Sequence, residues 1–349
     1  QPDWKGGMDP HLAAENPGHH RYPVWWTGDK VTLQAAVESM IDAGVHHLKP
    51  YVHSDCGGDE WVVKAGEFMR WIAMCAFGNI ARIHGSDHRP WVYGGWWEDD
   101  IRKYLQIRYR LMPSIVAAGQ RASRNGFPLA ARLDLYWPEH WQQSSSNHQY
   151  LFLDDLLVAP IFDGQFNMTS RSLWIPPGEW QDVWTGDITK GPKQVTSWQP
   201  WERQPMWHRR DGGMYVMVDD HKLRIRDQDW SRLTLDVFPC KTWCPVVKRK
   251  VYDLSDQNGG NAAETGIEMG TDGLGHYRFN ISKASDGKER AWTIRLNLRP
   301  GERAVDAEVD GKWAWIKRIT KIGYDDGTPL MAYFPFGGGG SEPAARAGN

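Results

Sequence analysis

Over the first third of the chain, apolar positions alternate between the short runs of a strand and the three-to-four spacing of a helix. "RYPVWWTGD" (21–29) is a β-favouring aromatic run that stops on a carboxylate, Asp29. In the following "KVTLQAAVESMIDAG", Leu33, Ala36, Val37, Met40 and Ile41 fall on one helical stripe, with Gly44 as the expected C-terminal stop. "VHHLKPYVHSD" is again extended and again ends on a carboxylate, Asp55, before Cys-Gly-Gly. "EWVVKAGEFMRWIAMCAFG" reads as helix, and "NIARIHG" as a short strand ending on His84. "EDDIRKYLQIRYRLMPSIVAAGQRA" sets Ile101, Tyr104, Leu105, Leu111, Met112 and Ile115 along one stripe that kinks near Pro113.

Strand, helix, strand, helix, strand, helix predicts parallel βα units. Three units are too few to close an eight-stranded barrel, so residues 1–125 read as the C-terminal part of one. In such barrels the working groups sit at the C-terminal ends of the strands. A lone Asp after Gly is ordinarily a turn or a helix cap. Asp29, Asp55 and His84 recur at one position of a repeated unit, and that recurrence points to a shared site.

From about residue 126 the pattern changes to short β runs punctuated by Pro and Gly: "LLVAPIF", "RSLWIPPGEWQDVWTG" and "GGMYVMVDD". These predict an antiparallel sandwich over 126–213. A second sandwich-like region is expected over 214–325, with "SRLTLDVFP", "RAWTIRLNL" and "RAVDAEVDGKW" as strands. Residues 326–349 have the composition of a flexible tail. The fold class is therefore α/β plus all-β.

Composition narrows the function. Lys and Arg number 41 against 43 Asp and Glu, without blocks of either sign, which argues against a nucleic-acid or polybasic membrane footprint. No apolar run approaches a bilayer span. The 21 Trp fit either an aromatic core or indole platforms for sugar rings. Of the four Cys, Cys240 and Cys244 could bridge locally, but no zinc spacing accompanies them. The His pairs at 19–20 and 46–47, read as strand neighbours, point to opposite faces and make poor metal ligands. No metal or organic cofactor is expected. Sequons at Asn167 and Asn280 favour a secreted protein. The opening "QPDWKGG", without Met or a signal pattern, reads as a segment of something longer.

Taken together these stretches resemble the C-terminal half of glycoside hydrolase family 31, the α-glucosidase and α-xylosidase family. "RYPVWWTGD" resembles its acid/base motif, "PYVHSDCGGD" its next strand end, and "RWIAMCAFGNIARIHG" the helix and strand that deliver a substrate-binding histidine. "YLQIRYRLMPSI" is similar to the long helix after the barrel's last strand, and "DDLLVAPIF" with "LWIPPGEWQDVWTG" to the first sandwich domain. The resemblance implies a retaining α-glycosidase acting on an α-linked sugar. Asp29 would be the general acid/base, Trp26 a pocket wall, and Asp55 and His84 ligands of sugar hydroxyls.

Retention needs an acid to protonate the leaving oxygen and a carboxylate nucleophile about 5–5.5 Å away. A neighbouring carboxylate and burial against Trp25 or Trp26 would raise the acid's pKa as required. The family's nucleophile motif lies upstream of the acid/base motif and has no counterpart here. Asp3 and Asp9 precede Asp29 but lack the aromatic strand lead-in. The sequence also has Ala13 where the family commonly has Arg, Asp59 where it has an aromatic, and Ser114 where it has Tyr. These departures sustain a second reading, a catalytically silent relative that binds carbohydrate or serves a structural role.

Overall fold

A computed structural model describes residues 24–28, 31–47, 49, 51–58, 63–84, 88–162, 169–218, 222–253, 263–287, 289–299, 302, 308–309 and 312–313. Asp29 lies outside the described residues, as do Asp3, Asp9, Ala13, Asp59, Asn167 and the 326–349 tail.

Strand β1 (Val24–Trp26) pairs in parallel with β2 (Tyr51–His53), Trp26 standing opposite His53. A parallel bridge between Cys56 and Ile83 continues the order to the next chain segment. Between the strands runs α1 (Leu33–His46), whose buried face includes the expected Leu33, Ala36, Val37, Met40 and Ile41. Thr32 caps it, its hydroxyl accepting from the Ala35 amide at 3.2 Å. Gly44 does not stop this helix, which continues to His46. A Cβ at Gly44 would stand 2.8 Å from the Pro128 ring, so glycine serves here for close approach. The expected strand from Val45 shrinks accordingly, since His46 is helical and His47 is the C-cap.

Helix α2 (Ala65–Ala76) is buried on nearly every side. Its C-terminal carbonyls would be orphans. The buried Arg108 guanidinium donates to the carbonyls of Cys75, Ala76, Gly78 and Asn79, at 2.7 to 3.2 Å. Arg108 belongs to α4 (Gly95–Arg110), which follows the one-turn α3 (Pro90–Tyr93). The expected kink is a break: α4 ends at Arg110 and α5 (Met112–Asn125) begins at Met112, because Pro113 has no amide to continue the ladder. Gly126, at φ +75°, closes α5 with its amide on the Ala122 carbonyl.

The β-rich half opens with a six-stranded antiparallel sheet ordered β3-β4-β5-β8-β6-β7. Its strands are β3 (Ala130–Ala131), β4 (Tyr150–Phe152), β5 (Leu156–Val158), β6 (Thr169–Asp182), β7 (Ile188–Gln199) and β8 (Met206–Arg209). Pro176 and Pro177 sit where the β6–β7 register shifts, the place a strand tolerates missing donors. Trp137, Trp174, Trp180 and Trp207 pack with Leu151, Leu157 and Leu173 in one cluster, so part of the tryptophan excess is core.

Beyond it, β9 (Gly213–Val218), β10 (Arg232–Phe238) and β14 (Ala291–Leu296) form a second sheet. Here the antiparallel expectation needs correction: β10 and β9 are antiparallel, but β10 and β14 run parallel. The chain between them makes a separate antiparallel sheet of β11 (Val247–Tyr252), β12 (Glu264–Thr271) and β13 (Tyr277–Ile281), then returns to enter β14 in the direction of β10. Ser114, on α5, both accepts from the Val216 amide and donates to its carbonyl, tying the helix to the edge of this sheet.

Candidate active site

The ends of β1 and β2 and the segment around Ile83 meet at one rim. Past Trp26, the Thr27 amide bonds the His53 carbonyl at 3.1 Å, and the Thr27 and Ser54 hydroxyls lie 2.6 Å apart. One residue on, Asp55 is buried, with its carboxylate turned toward both neighbouring segments. The Trp26 indole donates to Asp55 Oδ2 at 3.2 Å. His84 Nδ1 stands 3.3 Å from the same oxygen, and Arg82 Nε stands 3.1 Å from Oδ1. Trp26, Asp55 and His84, read separately from three strand ends, are therefore brought together. Asp29 lies three residues past Trp26 in sequence.

The backbone under Asp55 is held on both sides. Its carbonyl accepts from Gly58 at 2.8 Å, and the next amide, Cys56, bonds the Arg82 carbonyl at 2.7 Å. Gly57 has φ +99°, and a Cβ there would lie 2.7 Å from the Phe68 ring; only glycine serves both demands. A disulfide joins Cys56 to Cys75 on α2, so the residue after Asp55 is covalently tied to the helix that Arg108 caps. Phe68 stacks on His88 and Tyr93, and His88 Nδ1 bonds the His84 carbonyl at 2.9 Å.

Two features of this site were not singled out from the sequence. Arg82 precedes His84 by two residues, and period-two alternation puts both on one face, so the strand pattern contained the signal. The Cys56–Cys75 pairing had none, since 19 residues separate the two and only the shorter Cys240–Cys244 bridge, which also forms, had a suggestive spacing.

Electrostatically the rim is a buried anion with half-exposed donors. Side-chain exposure is 1% for Asp55 against 44% for Arg82 and 41% for His84. Burial pushes the neighbouring His53 imidazole below its ordinary value, by more than the Asp55 charge raises it. The arrangement turns the indole N–H inward to Asp55 and presents the half-exposed Arg82 and His84 side chains at the surface, with Asp55 fixing their orientation. Groups of this kind recognise hydroxylated ligands.

Comparison with known proteins gives the fold a family. Residues 14–118 match the TIM-barrel domain of glycosyl hydrolases family 31, and residues 126–213 match that family's C-terminal domain. The chain belongs to glycoside hydrolase family 31, whose members are glycosidases. It is 30% identical over 181 residues to an alpha-xylosidase of Emericella nidulans, covering 50% of this chain and 23% of that protein. It is 27% identical over 310 residues to alpha-glucosidase 2 of Bacillus thermoamyloliquefaciens, covering 84% and 38%. In fold it is similar to the dextranase of Flavobacterium johnsoniae, with a TM-score of 0.67 at 20% identity over 82% of this chain and 38% of that one. The chain thus spans less than two-fifths of the length of these curated relatives.

Proposed function

We propose that this chain carries the acid/base and sugar-binding half of a retaining α-glycosidase site. The convergence of Trp26, His84 and Arg82 on the Asp55 carboxylate supports this reading. In it, Trp26 walls the pocket and His84 donates to a sugar hydroxyl. Asp55 accepts from a second hydroxyl, in exchange for one of its two longer contacts, Trp26 at 3.2 Å or His84 at 3.3 Å. Asp29, just past the end of β1, protonates the leaving oxygen and then deprotonates the incoming water. The substrate is an α-linked glucoside or a related α-sugar such as a xyloside, and no cofactor takes part. The chain divides into barrel segment 1–125, proximal sandwich 126–213 and distal β region 214–325.

The test compares Asp29→Asn with the unaltered sequence, each joined to the nucleophile-bearing barrel half of a family relative, on two substrates. Maltose leaves as a poor alkoxide that must be protonated, and its hydrolysis is expected to fall about 10²–10⁴-fold. On 4-nitrophenyl α-glucoside the leaving phenolate needs no proton, so the first step survives and added azide restores turnover. Equal rates for the two proteins would remove Asp29 from the mechanism. If the joined protein with Asp29 intact binds 1-deoxynojirimycin without turning over either substrate, the silent relative is the better reading.

A further inference from the structure

A cavity of about 360 Å³ lies where α5, the β4–β5 turn, the β8–β9 turn and the start of β11 meet, built from elements that contribute nothing to the Asp55 rim. Its wall carries three arginines and three aspartates, two of each already committed. Arg121 forks onto Asp154, which also accepts from the Tyr136 hydroxyl, and Arg249 pairs with Asp155. Two charged groups remain. The Arg209 guanidinium, lying over the Trp137 ring at 5.8 Å, has no hydrogen bond or ion pair among the described residues. Asp211 uses one carboxylate oxygen for the Glu179 amide, at 3.0 Å, and has no cation partner among the described residues. Phe127, Pro245 and Val246 supply apolar wall.

We propose that this cavity is a second carbohydrate-binding site that takes one or two units of a neutral oligosaccharide. The charge balance selects the ligand. With arginines and aspartates equal in number, the wall gives no net attraction to a phosphate or a carboxylate. One uncommitted donor fork and one uncommitted acceptor suit a group that both donates and accepts, which is a hydroxyl. The apolar wall offers contact to the C–H faces of a sugar ring, and the volume lies in the range of small-ligand sites. Arg209 donates to one hydroxyl oxygen and Asp211 accepts from a neighbouring hydroxyl, while Phe127 and Val246 cover the ring. The site does not depend on the acid/base reading of the rim.

The experiment measures binding of maltotriose and isomaltotriose by saturation-transfer NMR and calorimetry, on the whole chain carrying Trp26→Ala to weaken the rim. Saturable binding of at least one trisaccharide is expected to persist in that background. Adding Arg209→Met with Asp211→Asn should then weaken it at least about tenfold, the loss of one charge-assisted hydrogen bond. Val246→Trp, at a half-exposed position in the wall, should block the cavity while leaving the unfolding midpoint unchanged, which guards against misfolding of the double variant. No trisaccharide binding in the Trp26→Ala protein, unchanged affinity in both cavity variants, or displacement by inorganic phosphate would each overturn the proposal. Failure of the rim reading registers separately, as Trp26→Ala leaving total sugar binding unaltered.

Discussion

Asp55 and Asp155 are buried to nearly the same degree, 1% and 2% exposed, yet their surroundings differ in kind. Asp155 accepts from the Met214 amide at 3.0 Å and pairs with Arg249, and its neighbour Asp154 takes Arg121 and Tyr136. Those partners come from β9, β11, α5 and, for Tyr136, the segment between β3 and β4, so the two carboxylates staple four segments together. Leu153 and Asp154 adopt φ values of +55° and +71°, a conformation unfavourable for side-chain-bearing residues, and the turn holds it because both carboxylates are then aimed at their cations. Around Asp55 the backbone is clamped from below, and its partners Arg82 and His84 are half-exposed, two of the three side-chain contacts being longer than 3.1 Å. One site closes its charges against each other. The other presents donors outward, and the difference lies in the partners rather than in the burial of the acid.

The largest expected effect of breaking this contrast is at Asp155. Asp155→Ala strands the Arg249 guanidinium and the Met214 amide, and should cost about 3–5 kcal/mol in urea unfolding. Arg249→Met strands the carboxylate and should cost a similar amount. Losses under 1 kcal/mol for both would show that the staple is not structural. Arg108→Met follows. It leaves four carbonyls at and just after the end of α2 without their shared donor and should cost about 3 kcal/mol, loosening the segment that delivers Arg82 and His84. Hydrogen exchange of the Cys56 amide, bonded to the Arg82 carbonyl, reports that loosening directly.

A pH effect comes next. His208, on β8, bonds Tyr215 of β9 at 3.2 Å and stacks on Phe238 of β10 at 4.2 Å, joining the first sheet to the second. Burial, helped by the charges of Arg210 and Arg295, pushes its imidazole down to about 3. An unfolded histidine takes its proton near 6.5, so between about 6.5 and 3 the unfolded chain binds a proton the folded one refuses. Stability is therefore complete above about pH 6.5 and declines as pH falls, by up to about 1.4 kcal/mol per unit. Asp154 adds a later loss. Burial raises its carboxyl, but the Arg121 hydrogen bonds and charge, with Arg249 and Tyr136, leave it below its ordinary value, so its contribution disappears only below the usual carboxylate range. Unfolding midpoints at pH 7, 6 and 5 should fall in the unaltered chain and fall less steeply over that interval in His208→Gln, the remaining slope including His53.

The rim was legible in the sequence because its information is local and repeated. Period-two runs ending on Asp55 and His84, with a glycine two residues and one residue further on, register without knowledge of the fold. The staple was not, although Asp154 and Asp155 stand in plain view in "DDLLVAPIF". Their cations lie 33 and 94 residues away, and such pairings exist only after α5 and β11 are packed. Gly44 fails for the same reason, since local propensity makes it a stop and the distant Pro128 makes it a contact. The parallel partner of β10 was hidden too, because strand direction depends on how the intervening sheet turns the chain around.

The smallest stability effect is expected at Asp55 itself, and it sharpens the comparison most. Asp55→Asn keeps the shape and one acceptor oxygen, so Trp26 retains a partner. Arg82 and His84 are exposed enough to be hydrated when the charge is lost, unlike Arg249, whose side chain is 24% exposed. The cost should be about 1 kcal/mol, well under that of Asp155→Ala. Binding of 1-deoxynojirimycin should nevertheless fall at least about tenfold, because the carboxylate both orients the donors and accepts from the ligand. A carboxylate that matters little to folding and much to binding is what an outward-facing cluster requires. Should Asp55→Asn instead unfold the chain as readily as Asp155→Ala while any folded fraction binds normally, the rim would be a second staple, and the distinction between the two buried acids would disappear.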